Sequence, residues 1–271
     1  MAETQTLEAN VARRERSEPA APSRRLWRRL EPTALGTGSI VVLILVWQFV
    51  PYFFPLKAGT RLFFAVPSQI IGTLWDMIVT GSLWAPLGVS ATAFAIGLAM
   101  AIVVGLPLGI LLGRSNTLNA MFDPFVTAFN ATPRLVFLPL LMLWFGIGLW
   151  SKVAVVFLGA LFPLLINVVR SFGAGEWDVA RLVVVPNALP FIIVGLRLAI
   201  GRAVLGVVVS EFFGSQEGLG VVMVRAASGF KVDVVFAGLI VFAGLSLLMT
   251  GLVKLLEDRM SRWRPEHSNA S

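Results

Sequence analysis

No charged residue occurs anywhere from Met77 to Gly113, and an uncharged run of that length has few ways to fold. As a helix it is long enough to cross about 30 Å of hydrocarbon, which places a span at roughly Trp84 to Leu112. The rest of the chain shares the bias: 57% of residues are hydrophobic and 14% charged, with a mean hydropathy of +0.84. Too little polar surface remains to cover a soluble core. The expected fold is an all-α polytopic membrane protein.

About six spans are expected. The first runs from about Gly36 to Phe54, near the minimum crossing length. Val66-Pro-Ser-Gln69 then opens a short helix with Ser68 as its cap. Its Ile70, Leu74, Trp75 and Ile78 cluster on one side and Asp76 faces away, as in a helix lying on a membrane surface. The second span ends in a row of small residues, Gly105, Gly109 and Gly113, which lets another helix approach closely. Arg114 to Asn119 forms an inner loop. Met121 to about Phe145 is the third span, with Pro133 and Pro139 inside it, and any irregular backbone there needs shelter by protein or water. Trp150 to Val169 is the fourth. A polar interruption, Arg170 to Pro190, precedes the fifth span, Phe191 to Val209. A polar outer segment, Ser210 to Asp233, holds Glu211, Glu217, Arg225 and Lys231, and Val234 to Val253 is the sixth span. The domains expected are a basic disordered tail (1–35), a transmembrane domain (36–256) and a C-terminal tail (257–271).

The net charge of +7 raises the question of nucleic acid, and the placement of the basic residues argues against it. Seven arginines fall between Arg13 and Arg29, while Lys254, Arg259, Arg262 and Arg264 follow the last apolar run. Arg114, Arg170 and Arg181 sit in predicted inner loops; Lys57, Arg61, Lys152, Arg225 and Lys231 sit outside. The excess on one side predicts a multi-pass protein with both termini cytoplasmic. The basic tail is suited to contact anionic membrane lipid. A cleaved signal peptide is disfavoured by the long basic region and the missing small-residue cleavage site.

Several chemistries are excluded by composition. The chain contains no cysteine and one histidine, His267, in the polar tail, so thiolate nucleophiles, histidine metal sites and Ser-His catalysis have no residues to build on. No G-x-x-x-x-G-K-[ST] loop cradles nucleotide phosphates, so any ATP hydrolysis belongs to another chain. No cofactor or metal is expected. Carboxylates are nearly absent from the predicted spans, which disfavours ion-coupled transport.

Two groups of residues are candidates for function. Arg134, Arg197 and Arg202 fall within spans, where a guanidinium costs at least about 2.5 kcal/mol at mid-depth and usually faces an aqueous cavity or a partner. They are candidates for a translocation pathway together with Glu211, with structural pairing or snorkelling as the alternative. Arg197 and Glu211 share one helix face but lie nearly four turns apart, too far to pair. The second group is the interruption after the fourth span: Gly173, Ala174, Gly175, Glu176, Trp177, Asp178, Arg181, Pro186 and Pro190. By itself it reads as a solvated surface helix, with Asp178 and Arg181 paired at i, i+3.

Four stretches taken together resemble the permease subunits of bacterial ABC importers, the nitrate, sulfonate, taurine and bicarbonate group. They are Val66-Pro-Ser68; Pro139 to Gly148 with Ser151-Lys152; Gly173-Ala174 with Pro186 and Leu189-Pro190; and Gly195-Leu-Arg197 with Glu211 and Gly218-Leu-Gly220. The resemblance runs from about Val66 to Trp263. It implies a type I importer permease fold in the bacterial inner membrane and, as partners, a second permease copy forming a homodimer, two cytoplasmic ATP-binding subunits and an external solute-binding protein. The solute implied is small and anionic, such as a sulfonate, taurine or nitrate.

The resemblance assigns the 170–190 loop as the element that docks the ATPase. Here the family's Glu-Ala-Ala motif is missing ahead of Gly173, and the loop is short by about twenty residues, several turns of helix. Ala93 stands where an arginine is common in the group. Three explanations are open: Gly175 to Val185 still docks, the fourth span unwinds at Pro163 to lend residues to the loop, or the chain is a non-transporting remnant or scaffold.

Overall fold

The computed structural model describes residues 22–53, 63–171 and 185–260, and every regular element among them is helical. The chain divides into two units, residues 1–56 and 57–271. In the first, helix α1 (Pro22–Phe53) contains an apolar stretch, Leu35–Phe53, long enough to cross a membrane, within a residue of the expected span. The helix already includes residues 22–35, which the sequence assigned to a disordered tail. Its arginines and leucines are good helix formers and simply extend the span. Residues 1–21 lie outside the described residues.

The second unit holds α2 (Pro67–Val79), α3 (Trp84–Arg114), α4 (Asn116–Ala131), a 3₁₀ turn (Arg134–Phe137), α5 (Leu138–Phe145), α6 (Leu149–Ser171), α7 (Val185–Gly214), α8 (Leu219–Ser228) and α9 (Val232–Met260). Its centre is α6, packed along its length between α3 and α7. Val153, Val156, Ala160, Leu164 and Val168 recur every three or four residues and are all buried, the stripe that a helix needs to face a neighbour. Two glycines set how close that neighbour comes. A Cβ added at Gly97 or Gly109 would lie 2.6 Å from the Cβ of Val156 or Val168, so α3 approaches α6 closely only because those positions lack a side chain. Gly105 faces Leu161 and Leu164 in the same seam. The small-residue row in α3 is therefore a packing surface.

Gly97 meets Val156 and Gly109 meets Val168, so α3 runs parallel to α6. Gly206 meets Val156 and Gly195 meets Asn167, so α7 runs antiparallel to it. One end of the unit thus gathers Trp84, Leu149 and Gly214, and the other Arg114, Arg170 and Pro190.

The third expected span is broken. Helices α4 and α5 meet at 87°, so the described residues contain five spans, or six if this bent pair counts as one. Pro133 is the cause: the residue before a proline is pushed out of the helical region, and Thr132 sits extended at ψ 130°. Thr132 closes α4 with its own hydroxyl, which donates to the Ala128 carbonyl at 2.8 Å. Pro163 acts differently. Helix α6 continues through it to Ser171, with Asn167 Nδ2 donating to the Pro163 carbonyl at 2.8 Å. The fourth span therefore does not unwind to lengthen the following loop.

Three further expectations are corrected. Val66 occupies the cap position of α2, and its N–H donates to Gln69 Oε1 at 3.3 Å; Ser68 is already inside the helix. Trp75 is exposed, while Ile70 and Met77 are buried where α2 packs on α9, fixed by a 2.6 Å bond from Thr73 Oγ1 to Asp233 Oδ2. The segment after Ser210 is not simply a polar loop: α7 runs on to Gly214, and α8 follows with Leu219, Val221, Met223 and Ala226 buried.

Candidate functional site

The end of the unit that carries Gly214 encloses a polar cluster. Glu211, in the last turn of α7, has a fully buried side chain, and that of Lys152 in the first turns of α6 is 3% exposed; Lys152 Nζ lies 3.5 Å from Glu211 Oε1. Ser90 of α3, also buried, donates from Oγ to the carboxylate at 2.8 and 2.9 Å. Helix α8 points its first turn at the same group. The Gly220 N–H donates to Glu211 Oε2 at 2.8 Å, and the Leu219 N–H donates to Ser90 Oγ at 2.9 Å. The free N–H groups and partial positive charge at a helix start suit a carboxylate. Lys152 also donates to the Glu217 carbonyl at 2.5 Å.

Gly218-Leu219-Gly220 can wrap the carboxylate only as written. Gly218 has φ +124°, and a Cβ there would overlap the Glu211 carboxylate. At Gly220 a Cβ would sit 2.8 Å from the Glu211 Cβ. The cluster thus joins α3, α6, α7 and α8 through one neutralised charge pair. Two buried ions are tolerated only when paired and hydrogen-bonded like this. The cluster acts as a lock on the helix ends. Glu211 therefore lies inside the unit, in contrast to the pathway position expected from the sequence, and Lys152 is not a free outer charge.

Beside the lock, a cleft of about 600 Å³ is lined by residues that include Gly88, Thr92, Gly148, Lys152, Ser215 and Glu217. It brings the start of α3, the start of α6 and the loop after α7 around one opening.

The other expected pathway residues are dispersed. Arg197 Nη2 meets Glu257 Oε2 of α9 at 2.9 Å, with both side chains partly exposed. Arg202 lies midway along the Pro190–Gly214 span, about 18 Å from either end by helical rise. It is exposed, flanked on the same face by exposed Leu198 and Leu205, and has no hydrogen-bond or ion-pair partner among the described residues. The backbone of Arg134 opens the 3₁₀ turn at the α4–α5 break.

Of the docking-loop candidates, Gly173, Ala174, Gly175, Glu176, Trp177, Asp178 and Arg181 lie outside the described residues. Pro186 is in the first turn of α7 and Pro190 follows in the same helix. The partners of Glu211 were not found from the sequence. The available signal was a lone lysine and a lone glutamate, each near the same end of an apolar run, with a G-x-G pair following the glutamate.

The chain matches the family described as "Binding-protein-dependent transport system inner membrane component" over residues 105–170 and 164–262, two stretches that overlap at residues 164–170. It is similar to the taurine transport system permease protein TauC of Escherichia coli (strain K12): 30% identical over 266 residues, 90% of this chain and 96% of that one. SsuC of Bacillus subtilis (strain 168), provisionally named as an aliphatic sulfonates transport permease protein, is 34% identical over 237 residues, 82% of this chain and 85% of that one. The riboflavin transport system permease protein RibX of Chloroflexus aurantiacus is 32% identical over 258 residues, 90% and 95% of the two chains.

Proposed function

Because the chain belongs to the family of binding-protein-dependent transport system inner membrane components, we propose that it forms the membrane pathway of an ATP-driven importer for a small organic anion of the sulfonate class, taurine included. The partners in this reading are a second copy of the chain, two ATP-hydrolysing subunits and a solute-binding protein that delivers the solute from outside. The Arg114–Arg170 end, to which the Arg197–Glu257 pair also brings Lys254 and Arg259 of α9, is the cytoplasmic one by the positive-inside rule, which puts both termini inside. ATP-driven closure of the partner subunits reorients the paired spans, so the pathway opens first outward and then inward. The chain itself makes and breaks no covalent bond.

The observation that carries this reading is Arg202. An exposed guanidinium at the middle of a span needs water, a partner or an anion, and a pathway for anions supplies all three. Arg134, at the break between α4 and α5, is the second pathway candidate, since non-helical backbone at membrane depth occurs where it is buried in protein or lines a water-filled cavity. Gly173 to Arg181, with Pro186 and Pro190, is the segment proposed to seat in the ATPase. The similarity to TauC and SsuC, named as taurine and aliphatic sulfonates transport permeases, supports a sulfonate or taurine as solute.

The test is ATP-dependent uptake of taurine by the complete importer in proteoliposomes. Arg202→Ala should lower uptake about tenfold, equivalent to about 1.4 kcal/mol, while the complex still assembles. Unchanged uptake, or equal loss of uptake and assembly, would remove Arg202 from the pathway.

A second reading is favoured by one observation, that the family match comes as two stretches overlapping at residues 164–170, just ahead of Gly173, rather than as one continuous stretch. If the docking segment is too short to hold the ATPase, the chain is a permease fold without a motor, a remnant or scaffold.

A further inference from the structure

The end of the unit that carries Arg170 contains a second cleft, between α4 and α6, of about 390 Å³. Its α4 wall is a polar stripe, Asn119, Asp123, Thr127 and Asn130, spaced by three or four residues. Its α6 wall ends in Arg170, and Leu112, Val126, Leu165, Ile166 and Val169 line the remainder. The opposite face of α4 is apolar and exposed, with Met121, Phe122 and Phe125. No residue of α4 is buried. One end of the helix is held by Phe129, which stacks on Phe162 of α6 with ring centres 5.7 Å apart. Between that contact and Arg170 the polar stripe lines the cleft.

Asp123 is seven residues into α4, about 10 Å along the axis. Carboxylates within spans are rare and face water, protein or a ligand. Asp123 has no ion pair with Arg170 and no other hydrogen-bond partner among the described residues. The cleft therefore holds opposite charges on two walls that have not closed onto one another. Neutral donors and acceptors from Asn119, Thr127 and Asn130 lie between them.

We propose that this cleft is a low-affinity binding site for a small amino-sulfonate, with the ammonium on Asp123 and the sulfonate on Arg170. The assignment rests on reading the chain as a solute permease and narrows its solute class to zwitterions. A planar guanidinium matches an oxyanion through parallel N–H donors, while the carboxylate and amide oxygens accept from the ammonium. A plain anion satisfies Arg170 but leaves Asp123 repelling it across the cleft; a plain amine does the reverse. A zwitterion alone neutralises both walls. A site that must release its solute to the next step of transport binds it weakly, so the affinity should be in the millimolar range.

The chain has no cysteine, so labelling read on this chain after the subunits are separated reports on the introduced thiol. The experiment uses the complete importer in inside-out vesicles, with Thr127→Cys, or Asn130→Cys if the first does not assemble, and follows the rate of labelling by a neutral maleimide. At about 20 mM, above a millimolar dissociation constant, taurine should slow labelling several-fold. Ethanesulfonate, which lacks the ammonium, and ethylamine, which lacks the sulfonate, should each have less than half that effect. Asp123→Asn should bring taurine down to the level of ethanesulfonate. Equal protection by all three compounds, protection by none, or discrimination that survives Asp123→Asn would overturn the proposal. Uptake by the same importer is read separately. If labelling discriminates but no sulfonate is carried, the transport reading fails and the site stands; if sulfonates are carried without discrimination in labelling, the site fails and the transport reading stands.

Discussion

Replacing Glu211 with alanine should destabilise the protein strongly. The change removes the partner of Lys152 and leaves an ammonium that is 3% exposed facing a void. Breaking a buried pair from one side costs about 3–5 kcal/mol. The start of α8 also loses its acceptor at Gly220 and Ser90 loses its own, but these losses belong to the same network and do not add in full. The total should therefore remain near 3–5 kcal/mol, a drop in Tm of about 6–20 °C at about 2–4 °C per kcal/mol. Lys152→Met should cost a similar amount. The double variant Lys152→Met with Glu211→Leu should be markedly better than the sum, because neither charge is left alone. Thermal unfolding in detergent, followed by tryptophan fluorescence, reads all three. A Tm within about 2 °C of the parent for Glu211→Ala, or strictly additive losses in the double variant, would show that the buried pair does not lock the helix ends.

Three further outcomes are expected. Gly218→Ala should reproduce much of the Glu211→Ala loss, since φ +124° and the adjacent carboxylate both exclude a side chain; backbone strain of that kind costs about 1–3 kcal/mol, and an unchanged Tm would count against the wrapped geometry. Gly109→Val should separate α3 from α6 and cost at least about 1–3 kcal/mol by overpacking, whereas Gly72→Ala, with open space around it, should fold normally; the same melting assay compares them. Arg197→Ala removes a partly exposed pair with Glu257 and should cost no more than about 1 kcal/mol, with uptake reduced less than by Arg202→Ala. If Arg197→Ala proves the more damaging to uptake, the pathway assignment moves from the middle of α7 towards its start.

The positions of the spans were legible because length and apolarity alone determine whether a helix can cross lipid. Leu35–Phe53, Trp84–Arg114 and Leu149–Arg170 each begin or end within two residues of the expected bounds. Where local chemistry competes with that rule, the sequence was less informative. Pro133 breaks its span and Pro163 does not, and the difference lies in tertiary support: α6 is enclosed on two sides, whereas α4 is nearly free. The lock was hidden for another reason. Ser90, Lys152, Glu211 and Gly220 are separated by up to 130 residues, and no periodicity links residues on four different helices. Arg197 and Glu211 share a face of one helix, but both residues take partners from other helices. Arg202 was legible as a charge in a span, while its exposure and lack of a partner required the packed helices.

The central claim, that this chain works as the pathway of an ATP-driven importer, depends on a docking segment of only the residues between α6 and α7. Co-purification with the partner ATPase in detergent, comparing the chain as it stands with one whose loop is lengthened by about twenty residues, several helical turns, tests it most directly. The native chain should already retain the ATPase, and lengthening should add little. Retention only by the lengthened chain would contradict it, leaving a permease fold that has lost its motor.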